Sequence, residues 1–326
     1  MTATPDFRDT ISADWQPSPL GGAVADIGGA ANKPIGAILA ETHQLSAYQV
    51  ERILAHQHTH GVRFGEAAIA LGYSSTDDVL HALAAQFNYP YAPQDRRSSS
   101  PELVALNDPF SRQAEAFRAV RSQLMARVFH HDAGAGAGLG LGVGLGVAAR
   151  SQRAVAVVSP ESGDGKTFFA ANLAVVLAQL GGRTLLVDAD MRGPRQHEVF
   201  DLGNKAGLSG LLSGRAERHV VQRVPGVPSL YVLPVGPTPP NPLELVERPA
   251  FAQLLAELTL RFEHVIVDTP AHQYGADGPV IASRCGSALI VARKHSSRID
   301  ALQELVRVFS GGATKLAGVI VNEFTG

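Results

Sequence analysis

From residue 153 onward, six short apolar runs alternate with helix-length stretches, and this alternation limits the fold more than any other feature of the chain. The runs are "AVAVVS", "RTLLVDAD", "SLYVLPVG", "EHVIVDT", "SALIVAR" and "LAGVIVNE". Parallel strands need crossover connections, and helices are the usual crossovers. A strand buried on both faces reads as a continuous apolar run. The pattern therefore predicts an α/β fold, a mostly parallel sheet covered by helices on both faces.

The junction after the first run is the most specific. "SPESGDGKTFFAANLA" (159–174) joins a strand to a helix through a glycine-rich turn, the context a phosphate-binding P-loop requires. Gly163 and Gly165 let backbone amides turn inward as an anion nest, and the helix N-terminus adds its dipole. Lys166 offers a point charge to β- and γ-phosphates, and Thr167 offers a hydroxyl to Mg²⁺. Gly163, Asp164, Gly165, Lys166, Thr167 and Phe168 are the candidate nucleotide contacts. Pro160 stands where the general pattern has its first glycine. Two later runs end in acid: Asp188 and Asp190 in "TLLVDADMRGP", and Asp268 in "HVIVDTP". A carboxylate at the tip of a buried strand is costly unless something pairs with it, and Mg²⁺ would do so. Thr167, Asp190 and Asp268 are the candidate metal ligands, and the expected cofactors are ATP and Mg²⁺.

The rest of the chain divides by composition. Residues 1–33 lack sustained periodicity and read as disordered, 34–93 as a small helical domain, 94–107 as a linker and 108–132 as a helix. "AGAGAGLGLGVGLGVAA" (133–149) has glycine at every even position from Gly134 to Gly146. It is too short and too glycine-rich for a membrane span, so 133–152 reads as a flexible linker, with a membrane-contacting segment as the alternative. Residues 153–326 form the P-loop domain. A net charge of −2 argues against nucleic acid as a partner. The single cysteine, Cys285, excludes a disulfide framework and suits a reducing cytosol. The first residues show no secretory signal.

Residues 34–57 and 63–86 align at a constant offset of 29, pairing Gly36 with Gly65, Val50 with Val79 and Leu54 with Leu83. Each copy reads as helix, turn with a Ser or Thr cap (Ser46, and Ser75 or Thr76), then helix. The arrangement resembles the N-terminal domain of type II secretion and type IV pilus ATPases. That resemblance includes the version that binds cyclic di-GMP through tandem motifs of this length. In the second copy Arg63, Gly65, Gly72 and Gln86 fit it. In the first copy Pro34 replaces the arginine and His43 the second glycine. A docking module and a cyclic di-GMP sensor over residues 63–86 are the two readings. "HQHTH" (56–60) reads as a solvated spacer loop and, less simply, as a zinc site.

The P-loop, "DADMR", "VIVDTP", "NPLELV" (241–246) and the final "GVIVN" together resemble the bacterial tyrosine kinases of polysaccharide export, a branch of the MinD/ParA P-loop ATPases. The resemblance covers about residues 108–324. MinD and ParA carry a signature lysine five positions before the P-loop lysine; here that position is Glu161. "EAFRAVR" matches the E-x-x-R-x-x-R helix through which the kinases assemble, with Glu115, Arg118 and Arg121 spaced three apart. The resemblance implies that Lys166, Asp188 and Asp190 are catalytic, Asp188 being the base that takes the tyrosine proton. It also implies that Asp190 and Asp268 hold the metal and that Arg192 steadies the motif. It further implies a homo-oligomer, and a chain-length-determining membrane protein as activator. The kinase would be cytoplasmic and peripheral at the inner membrane through that partner. The family's C-terminal tyrosine cluster has no match: none of Tyr48, Tyr73, Tyr89, Tyr91, Tyr231 and Tyr274 lies in the last fifty residues. The acceptor is then another protein or an N-terminal tyrosine. The alternative is a non-kinase regulatory ATPase of a secretion or envelope system.

Overall fold

The computed structural model describes residues 34–42, 45–86, 100–129, 154–215, 217–227 and 229–323, which fall into two compact units divided near Ser99. The expected disordered segment 1–33, His43, Tyr89, Tyr91, residues 94–99 and the glycine-rich run lie outside the described residues. No helix among the described residues is long and apolar enough to cross a membrane.

The smaller unit holds α1 (Ile35–Thr42), α2 (Ala47–His60), α3 (Phe64–Ala70) and α4 (Thr76–Gln86). The 29-residue offset seen in the sequence recurs in the helix starts, 35 with 64 and 47 with 76. It recurs in the caps too. The Ser46 backbone N–H donates to Gln49 Oε1 (2.8 Å), and the Ser75 N–H donates to Asp78 Oδ2 (2.7 Å). Each serine hydroxyl in return accepts from the backbone three residues on, so both turns are closed by a reciprocal capping box. Leu39 and Ala82 centre one small core, and Ile53, Ala67 and Ala68 the other.

The two matched glycines have a packing reason. A Cβ on Gly65 would lie 2.6 Å from Val79 Cγ1, and one on Gly36 would lie 3.3 Å from the Phe64 ring. Gly65→Ala is expected to destabilise this unit by about 1–3 kcal/mol, read by calorimetry as a lower melting temperature for its transition alone. "HQHTH" is not a spacer loop. It forms the last turn of α2, which ends at Gly61 with φ +66°.

The larger unit begins earlier than the sequence suggested. Part of the expected linker is the short helix α5 (Val104–Asn107), with Leu103 and Ala105 fully buried. It is bolted to α7 (Lys166–Ala178) by the buried Asn172. The Oδ1 of Asn172 accepts from Ala105 N–H (2.9 Å), and its Nδ2 donates to Glu102 O (2.7 Å). The helix expected over 108–132 is α6 (Arg112–Arg127), capped by Ser111. Phe117 on α6 packs against Phe168 and Phe169 at the start of α7.

The strands are β1 (Ala154–Val158), β2 (Thr184–Asp188), β3 (Gln222–Arg223), β4 (Leu230–Leu233), β5 (His264–Asp268), β6 (Ser287–Arg293) and β7 (Lys315–Asn322). Between them run α8 (Gln196–Val199), α9 (Leu208–Leu212), α10 (Pro242–Glu247), α11 (Pro249–Arg261), α12 (Asp277–Cys285) and α13 (Ile299–Ser310). The sheet order is β3-β4-β2-β5-β1-β6-β7, and every pair is parallel except β3 with β4. The mostly parallel P-loop fold expected from the six runs is the fold observed, with β3 as a short antiparallel edge. All five residues of β1, β2 and β5 are buried. Because these three strands are neighbours and point the same way, their C-terminal ends meet at one edge, where open α/β sheets bind ligands.

Candidate functional site

The P-loop leaves β1 and turns into α7. Gly163 (φ +86°) and Gly165 (φ +93°) sit in the left-handed region, where a side chain would strain the turn. Gly165 has a second reason to lack a side chain, since a Cβ there would run into the Asn322 amide at the end of β7. That amide donates from Nδ2 to the Asp164 carbonyl (3.1 Å), tying the sheet edge to the loop. Asp164, expected as a nucleotide contact, has its side chain built into the loop. Its Oδ2 accepts from Glu161 N–H (2.8 Å), and its Oδ1 accepts from the Ser297 hydroxyl (2.5 Å).

Register brings the acids together. Asp188 and Asp268 are direct neighbours across the β2–β5 pair, both fully buried. Lys166 Nζ reaches Asp190 Oδ2 at 3.0 Å. Asp188 organises the loop that follows it. Its Oδ2 accepts from Arg195 N–H (3.2 Å) and Gln196 N–H (3.0 Å), and its Oδ1 accepts from Asp190 N–H (3.2 Å).

Three carboxylates against one ammonium give the site an electrostatic tension. Burial, followed by the charge of Asp268, pushes the Asp188 carboxyl well above the ordinary aspartate range. Burial also raises Asp268 to about 6, against the opposing pull of the Lys166 charge. Burial disfavours the charged form of Lys166, but Asp268 and Asp190 outweigh it and hold the ammonium above its usual value.

Gln196, which the sequence reading did not single out, bridges the parts. Its Nε2 donates to Asp268 Oδ2 (2.9 Å) and to the Thr167 carbonyl (3.1 Å). The other Asp268 oxygen, Oδ1, is buried without a hydrogen-bond partner. Buried orphan acceptors are rare. One beside the buried Thr167 and the P-loop fits a divalent cation with bound phosphates. A cavity of about 1010 Å³ opens next to the loop, lined by Phe117, Phe168, Gly163, Gly165, Ile320 and Asn322 among others. Its size and apolar walls suit a nucleoside.

Arg192 reaches across to the other acidic loop. Its Nη2 contacts Asp277 Oδ1 (3.2 Å) and Oδ2 (3.0 Å) at the start of α12. Asp277 is buried, so Arg192→Ala leaves a buried carboxylate unpaired. We expect a loss of roughly 1–2 kcal/mol, read by urea denaturation. Of the E-x-x-R-x-x-R helix, Arg118 pairs with Glu115 and with the Pro109 carbonyl, and Arg121 donates to Val176 O on α7 (2.8 Å). Both arginines are thus engaged within the chain, and Glu115 is the member facing solvent.

The profile of the CobQ/CobB/MinD/ParA nucleotide binding domain matches residues 155–326. The putative tyrosine-protein kinase CapB of Staphylococcus aureus is 29% identical over 228 residues, covering 70% of this chain and 92% of CapB. The tyrosine-protein kinase CpsD of Streptococcus agalactiae is 30% identical over 177 residues, covering 54% of this chain and 77% of CpsD. The chain belongs to the bacterial tyrosine-protein kinases.

The structural likeness agrees with this kinase assignment. The kinase domain of Escherichia coli ETK superposes with a TM-score of 0.60 at 28% identity, covering 72% of this chain and 87% of that one. Against longer relatives the kinase chain spans much less, 29% of the length of Wzc from Salmonella typhimurium. The profile match, residues 155–326, contains Lys166, Thr167, Asp188, Asp190, Gln196 and Asp268.

Proposed function

We propose that this chain transfers the γ-phosphate of ATP to protein tyrosine in an exopolysaccharide export system. A chain-length-determining membrane protein would be its activator and would hold it at the cytoplasmic face of the inner membrane. The observation that carries the reading is the Lys166–Asp190 pair beside the orphaned Asp268 oxygen, in a chain whose relatives are named tyrosine-protein kinases.

Phosphoryl transfer asks mainly for positioning and charge neutralisation. Lys166 would turn from Asp190 to the β- and γ-phosphates, which the nest around Gly163 and Gly165 cradles. Thr167, Asp190 and Asp268 would hold Mg²⁺, which supplies charge neutralisation to the triphosphate when bound. Asp188, whose proton affinity is already raised, suits the acceptance of a phenol proton. Gln196 keeps Asp268 turned into the site. Glu161 supports the kinase reading over a sandwich-dimer ATPase, because a carboxylate cannot neutralise a partner's phosphates as a lysine does. Assembly through the Glu115 helix belongs to the same proposal.

The test is incubation of the purified chain with ATP-Mg²⁺ and the cytoplasmic tail of the membrane partner, followed by intact-mass measurement. Added phosphate on either component, absent with Lys166→Met, is the expected result. Consumption of ATP with no mass added to either protein would favour the regulatory ATPase.

A further inference from the structure

In "HQHTH" a histidine recurs at every second residue, but the helix that the stretch forms brings only two of them together. His56 and His60 stand four residues apart on one face of the last turn of α2, and His58 lies on the opposite side. The imidazole rings of His56 and His60 stack, with centroids 4.0 Å apart and 23° between their planes. His60 Nδ1 lies 3.1 Å from the His56 carbonyl oxygen. A carbonyl oxygen only accepts, so Nδ1 of His60 carries a proton and donates it. Nε2 is then the lone-pair nitrogen of the neutral ring. His60 is exposed and His56 half-buried, so the pair is open to solvent.

A side-chain cap on the last helical carbonyls accounts for His60 alone. It does not call for a second imidazole against the first. A backbone carbonyl holding Nδ1–H is a usual way of orienting a metal-ligating histidine, and two histidines at i and i+4 on a helix can hold one ion between them. We propose that His56 and His60 form a bidentate site for a divalent transition-metal ion of the zinc, nickel or copper type. Chelation asks for two nitrogens about 3 Å apart, each about 2.0–2.1 Å from the ion. The terminal torsion of a histidine is broad, so the stacked rings can open toward a shared ion at little cost. Imidazole favours these ions over Mg²⁺ and Ca²⁺, which prefer oxygen. Among the described residues no group of three or more His, Cys, Asp or Glu is placed to hold a metal ion, so water completes the coordination. The ion braces the last turn of α2, where positive charge also suits the helix dipole. Binding therefore stabilises the smaller unit. The site does not rest on the kinase reading.

The test titrates Zn²⁺ and Ni²⁺ by calorimetry into the full chain, carrying no affinity tag, with His56→Ala, His60→Ala and His58→Ala alongside. The tightest-bound ion of the wild type should be held roughly 10²-fold more weakly by His56→Ala and by His60→Ala, because the second donor is no longer supplied intramolecularly. His58→Ala should bind as the wild type does, and excess Mg²⁺ should not displace the ion. Saturating Zn²⁺ should also raise the melting temperature of the smaller unit's transition in the wild type and in His58→Ala. It should leave that transition unmoved in His56→Ala and His60→Ala. No binding by the wild type, or equal affinity in all four proteins, overturns the proposal. A loss in His58→Ala as large as that in His60→Ala overturns the pairing of His56 with His60.

Discussion

Lys166→Met is expected to lower phosphotyrosine formation by about 10³-fold while leaving a folded protein. Methionine keeps the length and the apolar stem of the side chain, so packing at the start of α7 survives. What disappears is the ammonium facing Asp190 at 3.0 Å and the charges of Asp268 and Asp188. Without it nothing in the loop compensates the β- and γ-phosphates beyond the backbone nest and the helix dipole. Asp268 then loses the pull of the Lys166 charge, which raises its proton affinity further. Calorimetric titration with ATP-Mg²⁺ alongside a radiolabel transfer assay checks both halves. A variant that retained a tenth of wild-type transfer would remove Lys166 from the role assigned to it.

Asp268→Asn is expected to have opposite effects on function and stability. Transfer should fall by about 10²–10³-fold, since the orphaned Oδ1 that suits a cation becomes an amide or a neutral carbonyl. The nucleotide-free protein should instead gain roughly 2–3 kcal/mol at neutral pH. Asp268 has a folded pKa of about 6 against an ordinary value of 3.8. Between those values the folded chain holds a proton that the unfolded chain has released, so stability falls as pH rises through this window. The asparagine has no such dependence and still offers an oxygen to Gln196. The stability difference between variant and wild type should therefore be small near pH 4 and grow to its full size above pH 6. Urea denaturation across that range measures it. A variant less stable than wild type at pH 7 would show that Asp268 is matched to its surroundings rather than held in readiness for a ligand.

The parts of this protein that were legible in the sequence are those where one local pattern decides the outcome. β1, β2 and β5 are buried along their full length, so each wrote a continuous apolar run with an acid at its tip. The repeat in the smaller unit was legible because Ser46 and Ser75 close the same capping box. The rest depended on partners distant in sequence. α5 is four residues held by Asn172 and Gln179, some seventy positions away, and no periodicity marks it. β3 is two residues long and exists only through its pairing with β4. Gln196 looked like any polar residue after a turn, and its role comes from β5 lying beside β2. Asp164 fell inside a recognised motif, but the motif does not show that its carboxylate bonds to the Glu161 N–H and to Ser297, 133 positions away. The "HQHTH" stretch was misread because a helix continues through it to Gly61.

The central claim is that the γ-phosphate goes to tyrosine rather than to water. Its most direct measurement is a count of both destinations in one reaction: phosphotyrosine and free phosphate released from γ-labelled ATP by the full chain with its membrane partner's tail. The account predicts that phosphotyrosine accumulates, that it is lost in Lys166→Met and in Asp268→Asn, and that it accounts for a substantial share of the ATP consumed. Free phosphate matching ATP consumption, with no phosphotyrosine on any component, would contradict it.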